Sequence, residues 1–94
     1  MPDKRDVKLA KIVIDILKPH MPPLVDFTKE IANVDGLLRV DATIVEVDTE
    51  TESVKLTVEG NDINLEKLLE IIKKMGAAIH SIDQVVAERP IRQR

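Results

Sequence analysis

Apolar side chains along this chain recur at every second position, then at helical spacing, then at every second position through two successive runs. A second helical run and a last alternating run complete the order. From Lys8 to Leu17, Ala10, Ile12, Ile14 and Ile16 share one face and Lys11, Val13, Asp15 and Leu17 the other. That period predicts a strand with one apolar face. Lys18-Pro19-His20-Met21-Pro22-Pro23 ends it, because proline removes ladder donors. Pro22 and Pro23 also suit a helix start. Leu24, Phe27 and Ile31 follow at helical spacing, with Val25, Thr28 and Ala32 beside them, until Asp35-Gly36 stops the segment.

Alternation returns from Leu38 to Asp48, with Leu38, Val40, Ala42 and Ile44 set against Arg39, Asp41, Thr43, Val45 and Val47. After Thr49-Glu50-Thr51-Glu52 comes Ser53 to Glu59, where Val54, Leu56 and Val58 oppose Lys55, Thr57 and Glu59. Two adjacent strands with a short polar connector predict a hairpin. Gly60-Asn61-Asp62 breaks the second strand, and Asn64 is placed as an N-cap with Ile63 and Leu68 at the spacing of a hydrophobic staple. Leu65, Leu68, Leu69, Ile72 and Met75 form the buried stripe, and Gly76 the C-terminal stop. Ile79 to Ala87 is the last strand; its two faces are similarly apolar, so the pattern leaves open which one is buried.

The resulting order, βαββαβ, predicts a ferredoxin-like α+β sandwich. Right-handed crossovers put both helices on one face of the sheet. The expected sheet is antiparallel with strand order 4-1-3-2, so the first and third strands are central and carry core residues such as Ile14 and Leu56. The 94 residues form one domain with a core over about 8–88 and flexible ends at 1–7 and 89–94.

Composition narrows the function. There is no cysteine, which removes disulfides, thiolate catalysis and thiolate zinc sites. Phe27 is the single aromatic residue and the net charge is −3, both unfavourable to nucleic-acid binding. No apolar run approaches a membrane span, and the polar start has no signal-peptide pattern. A cytoplasmic protein is expected.

Three separated motifs carry a resemblance over roughly residues 8–89: Asp15-Ile16-Leu17-Lys18-Pro19-His20, then Gly60-Asn61-Asp62, then Ile79-His80-Ser81-Ile82-Asp83 with Val85-Val86-Ala87. Together they resemble family 211 of the domains of unknown function. The resemblance implies a ferredoxin-like fold, an archaeal cytoplasmic source and homo-oligomers. It supplies no activity and no catalytic residue.

Candidate chemistry is sparse. His20 follows the first strand and His80 opens the fourth; antiparallel pairing brings both to one end of the sheet, near Asp15 or Asp83. Imidazole with carboxylate can hold a divalent transition metal, although histidines more often bond nearby backbone. Asp48, Glu50 and Glu52, with Glu46, give the hairpin a run of hard oxygen ligands. Their spacing is not that of an EF-hand, and a solvated, aggregation-resistant turn is the commoner explanation of such a run. Gly60-Asn61-Asp62 lacks the glycine spacing of a phosphate loop. His80, Ser81 and Asp83 resemble a triad on paper, but residues 80 and 81 of a regular strand face opposite ways. Arg89, Arg92 and Arg94 make the end basic.

Valines 45 and 47 are expected to face away from the helices on an edge strand, beside Leu37 and Leu38. Bare edges invite pairing, and two unlike edges favour head-to-tail contacts that can close into a ring. The sequence therefore points to a non-enzymatic homo-oligomer that binds a small ligand or divalent ion, in regulation or sequestration. The alternatives are a partner-binding module of a larger complex and, third, a small enzyme.

Overall fold

The computed structural model describes residues 6–89. Residues 1–5 and 90–94 of the expected flexible ends, including Arg92 and Arg94, lie outside the described residues. The elements are β1 (Lys8–Pro19), α1 (Leu24–Ala32), β2 (Leu37–Val47), β3 (Thr51–Gly60), α2 (Leu65–Lys74) and β4 (Ala78–Glu88). They build an antiparallel sheet of order β2-β3-β1-β4, the expected order seen from the other edge. The fold is ferredoxin-like α+β, with β1 and β3 central. Among the described residues no helix is long and apolar enough to cross a membrane.

The inward faces of the central strands are Ile12, Ile14 and Ile16 of β1 and Val54, Leu56 and Val58 of β3, all fully buried. They pack with Phe27 and Ile31 of α1 and Leu68 and Ile72 of α2. Burying each such side chain is worth about 1.5–3 kcal/mol, so this aliphatic layer holds the domain together. Helix ends follow local chemistry. The Asn64 side chain accepts from the Lys67 N–H at 3.1 Å and caps α2. Gly76 follows the Met75 cap and ends α2 with a φ of +86°, a value that favours glycine. Helix α1 ends at Ala32 with Asn33 as its cap, short of the expected Asp35-Gly36 stop, and Gly36, at φ +89°, instead turns the chain into β2.

Four departures from simple alternation matter. First, β1 runs beyond Leu17: Lys18 pairs with Glu52 and Pro19 with Thr51. A terminal strand position tolerates proline, so Lys18 becomes the next inward residue after Ile16. Second, a register shift between Leu9 and Lys11 makes Ala10 the extra residue of β1, and Leu9 rather than Ala10 packs on the core. Third, β2 has extra residues at Leu38 and Val45. Val45 is a bulge residue, and beyond it Val47 lies opposite Glu52. Directly opposed residues share a face, so Val47 is on the helix side, not the outer side expected from alternation.

Fourth, β4 carries extra residues at His80 and Asp83. Each bulge shifts the side-chain period by one residue. The inward line of β4 therefore runs Ile79, Ile82, Val85 at intervals of three, opposite Ile16, Ile14 and Ile12. This is why neither alternating face of β4 looked buried in the sequence. Ile82 and Val85 nevertheless remain 42% and 52% exposed. Their exposure follows from element lengths. A ten-residue helix covers about 15 Å, whereas an eleven-residue strand spans about 36 Å.

Candidate functional site

The candidate polar residues fall into two separate places. The first is at the end of β1, against the β2–β3 turn. Because Lys18 follows Ile12, Ile14 and Ile16 on the inward face, its side chain enters the protein and is 0% exposed. A buried ammonium is costly unless paired and hydrogen-bonded. Here Nζ donates to the Pro19 carbonyl at 2.8 Å, to Glu52 Oε1 at 3.1 Å and, more weakly, to the His20 carbonyl at 3.4 Å. Those bonds occupy its three protons. Nζ also lies 5.6 Å from the centroid of the Phe27 ring, within cation–π range.

Glu52 joins Lys18 to His20. Its second oxygen, Oε2, is 3.1 Å from His20 Nδ1, and His20 Nε2 is 2.9 Å from the Thr49 carbonyl. The hydrogen bond to the Thr49 carbonyl, and next the one to Glu52, raise the His20 pKa above its ordinary 6.5. The hydrogen bond from His20, and next the one from Lys18, lower that of Glu52 below its ordinary 4.5. Both directions describe one arrangement: a carboxylate between two cations, with the imidazolium also donating to the turn backbone. Its chemistry is that of a clasp. Asp48 and Glu50 are exposed beside it.

The second place is the edge of the open sheet face, where the two β4 bulges lie. His80 and Ser81 together oppose Asp15, because His80 is the extra residue. His80 Nδ1 is 3.3 Å from Asp15 Oδ2, and Ser81 Oγ donates to Asp83 Oδ1 at 2.7 Å. The alternation that would send residues 80 and 81 to opposite faces does not survive the bulge. Ser81 nonetheless spends its hydroxyl on Asp83, so the triad pairing of serine with histidine is not made. The rest of this face carries exposed ion pairs such as Arg39 with Asp41 and Glu59, each at 3.5 Å.

His20 thus meets Glu52, and His80 meets Asp15; the two imidazoles have different partners. Among the described residues no three His, Asp or Glu side chains are grouped so as to hold a metal ion. Sequence reasoning missed Lys18. The signal was its parity with Ile16, hidden by reading Pro19 as a strand break two residues too early.

The sequence profile of domain of unknown function 211, described as an uncharacterized ArCR, matches residues 10–93. The chain is also similar to the uncharacterized protein MJ0319 of Methanocaldococcus jannaschii: 43% identical over 83 residues, covering 88% of this chain and 86% of the relative.

Proposed function

The chain belongs to family 211 of the domains of unknown function, and on that premise we propose that it is a non-enzymatic, self-associating binding protein, acting in regulation or sequestration. The observation that carries this reading is the apolar surface left at both sheet edges. On β2, Leu38, Val45 and Val47 are 74%, 67% and 63% exposed. On β4 the inward line of Ile82 and Val85 is uncovered. Charge or cover normally protects an edge from pairing with another chain; these edges carry exposed valine, leucine and isoleucine among their charged residues. Because the edges differ, contact between them is head-to-tail and closes into a ring where the rotation permits.

The bound species in this reading is a small polar ligand or divalent ion on the open face, at the Asp15–His80 pair. One imidazole and one carboxylate already meet there, and both are donor types that transition metals accept.

Light scattering tests the assembly. At about 50 μM the expected mass is a multiple of 10.6 kDa, and a single 10.6 kDa species at that concentration overturns it. For the ion, added Zn²⁺ or Mn²⁺ should raise the melting temperature of the wild type and not of His80→Ala. An unchanged melting temperature with both ions removes that part of the reading.

A further inference from the structure

His20 stands outside the core, 43% exposed, yet both of its ring nitrogens face acceptors: the Glu52 carboxylate on β3 and the Thr49 carbonyl in the β2–β3 turn. A neutral imidazole has one N–H and one lone pair. It can serve only one of these acceptors, and its lone pair then points at the other. Only the doubly protonated ring donates to both. We propose that His20 is a proton-operated latch, which as an imidazolium ties the β2–β3 turn to the end of β1 and on losing its proton releases that turn while the rest of the domain stays folded.

The groups facing His20 are few. Glu52 favours the charged ring and Lys18 on β1 opposes it; the Thr49 carbonyl supplies the third influence. Nothing from α1 reaches the ring in a hydrogen bond or ion pair among the described residues, since Phe27 meets Lys18 instead. Asp48 and Glu50 flank Thr49 in the turn, outside ion-pairing distance of His20 among the described residues.

The division of labour explains why release would stay local. Glu52 keeps Lys18 whether or not His20 is charged, so the buried ammonium retains its partner. A neutral ring keeps its one N–H on the charged acceptor, Glu52, which makes the stronger hydrogen bond, so the bond to the Thr49 carbonyl is the one at stake. The turn itself has little else: the Asp48 N–H donates to the Thr51 carbonyl at 2.8 Å, and the neighbouring side chains are exposed. Segments with few buried contacts open at low free energy. Val47, opposite Glu52 at the end of the β2 edge, would loosen with the turn. A proton would then decide whether that end of the edge is held in fixed form. The latch does not depend on self-association, because it is read out on the turn itself.

The test is NMR on the full chain. The sequence has two histidines, so His80→Gln leaves a single imidazole and assigns the His20 signal. Its titration midpoint is expected above 6.5. Across that titration, exchange protection of the Asp48 amide should fall about tenfold, the weight of one hydrogen bond. The amides of Ile14 and Leu56 should keep their protection throughout. His20→Asn, a change at a half-exposed site that leaves Lys18 and Glu52 paired, should show the weakly protected turn at every pH. Protection of Asp48 that stays constant through the His20 titration overturns the proposal. So does a His20→Asn turn indistinguishable from wild type at low pH.

Discussion

At the scale of the residue, Lys18 shows how parity can override polarity. The β1 backbone points every second side chain inward, and a fully extended strand does not stop doing so because the next residue is charged. The ammonium is accommodated because two carbonyls, a carboxylate and an aromatic face surround it. The apolar residues on the same line work without such help. Ile14→Ala should destabilise the domain by about 2–5 kcal/mol through lost transfer energy and a cavity. With no tryptophan present, denaturation followed by circular dichroism is the suitable measurement, and an unchanged midpoint would contradict the core assignment.

The clasp also predicts a pH profile. His20 has its pKa raised on folding, so its stabilisation is complete below the ordinary 6.5 and is lost as pH rises through the folded value. Glu52 has its pKa lowered, so its stabilisation is complete above the ordinary 4.5 and is lost as pH falls through the folded value. Both contributions are whole only between those ordinary values. The melting-temperature difference between wild type and His20→Gln should therefore be widest in that window and shrink on the alkaline side as His20 titrates. A difference that is flat from acid to alkaline pH would rule out the assigned charges.

At the scale of the element, bulges and glycines settle what each strand presents. A bulge at Val45 re-aims Val47, and bulges at His80 and Asp83 turn the inward line of β4 into a three-residue repeat. Where β2 begins and β3 ends, two backbones cross closely. A Cβ on Gly60 would sit 1.9 Å from the Gly36 carbonyl oxygen, whose bond from the Asn61 N–H measures 2.9 Å. Gly60→Ala should lower stability by more than about 1 kcal/mol, the intrinsic advantage that alanine has over glycine within regular structure notwithstanding. A thermal melt equal to wild type would show that the crossing can relax. Under the proposed self-association, Val45→Lys on the β2 edge should reduce the assembled fraction in light scattering and leave circular dichroism unchanged, since the side chain is outside the core. If the assembled fraction is unaffected, the contact lies elsewhere.

At the scale of the whole molecule, shape and charge set the partners. The principal extents are 56 × 22 × 18 Å and the radius of gyration is 14.6 Å, against roughly 12 Å for a compact domain of this length. An elongated plate with short helices leaves strand ends uncovered, which is the physical ground on which self-association is proposed. The same surface is acidic overall, with net charge −3, and has Phe27 buried as its single aromatic. Binding to single-stranded DNA or RNA needs a basic track and stacking faces. Fluorescence anisotropy with a labelled single-stranded oligonucleotide at physiological salt should show no binding up to micromolar protein. Micromolar affinity there would reverse this reading.

The sequence by itself determined the element order, the strand order and the aliphatic core. Those depend on local period and on chain connectivity, and Ile12, Ile14, Val54 and Leu56 express the period without interruption. Asn64 as a cap and Gly76 as a stop were legible for the same reason: their chemistry acts within one turn of backbone. What the tertiary structure alone decided was pairing register and everything that follows from it. Bulges arise from how two strands fit against each other, so nothing local to β4 announces that residues 80 and 83 are extra. The ion pairs Asp15–His80 and Glu52–His20 join positions far apart in the chain, and which carboxylate meets which imidazole depends on that register. The burial of Lys18 was decided in the same way, by a strand that continues through proline because β3 is there to pair with it.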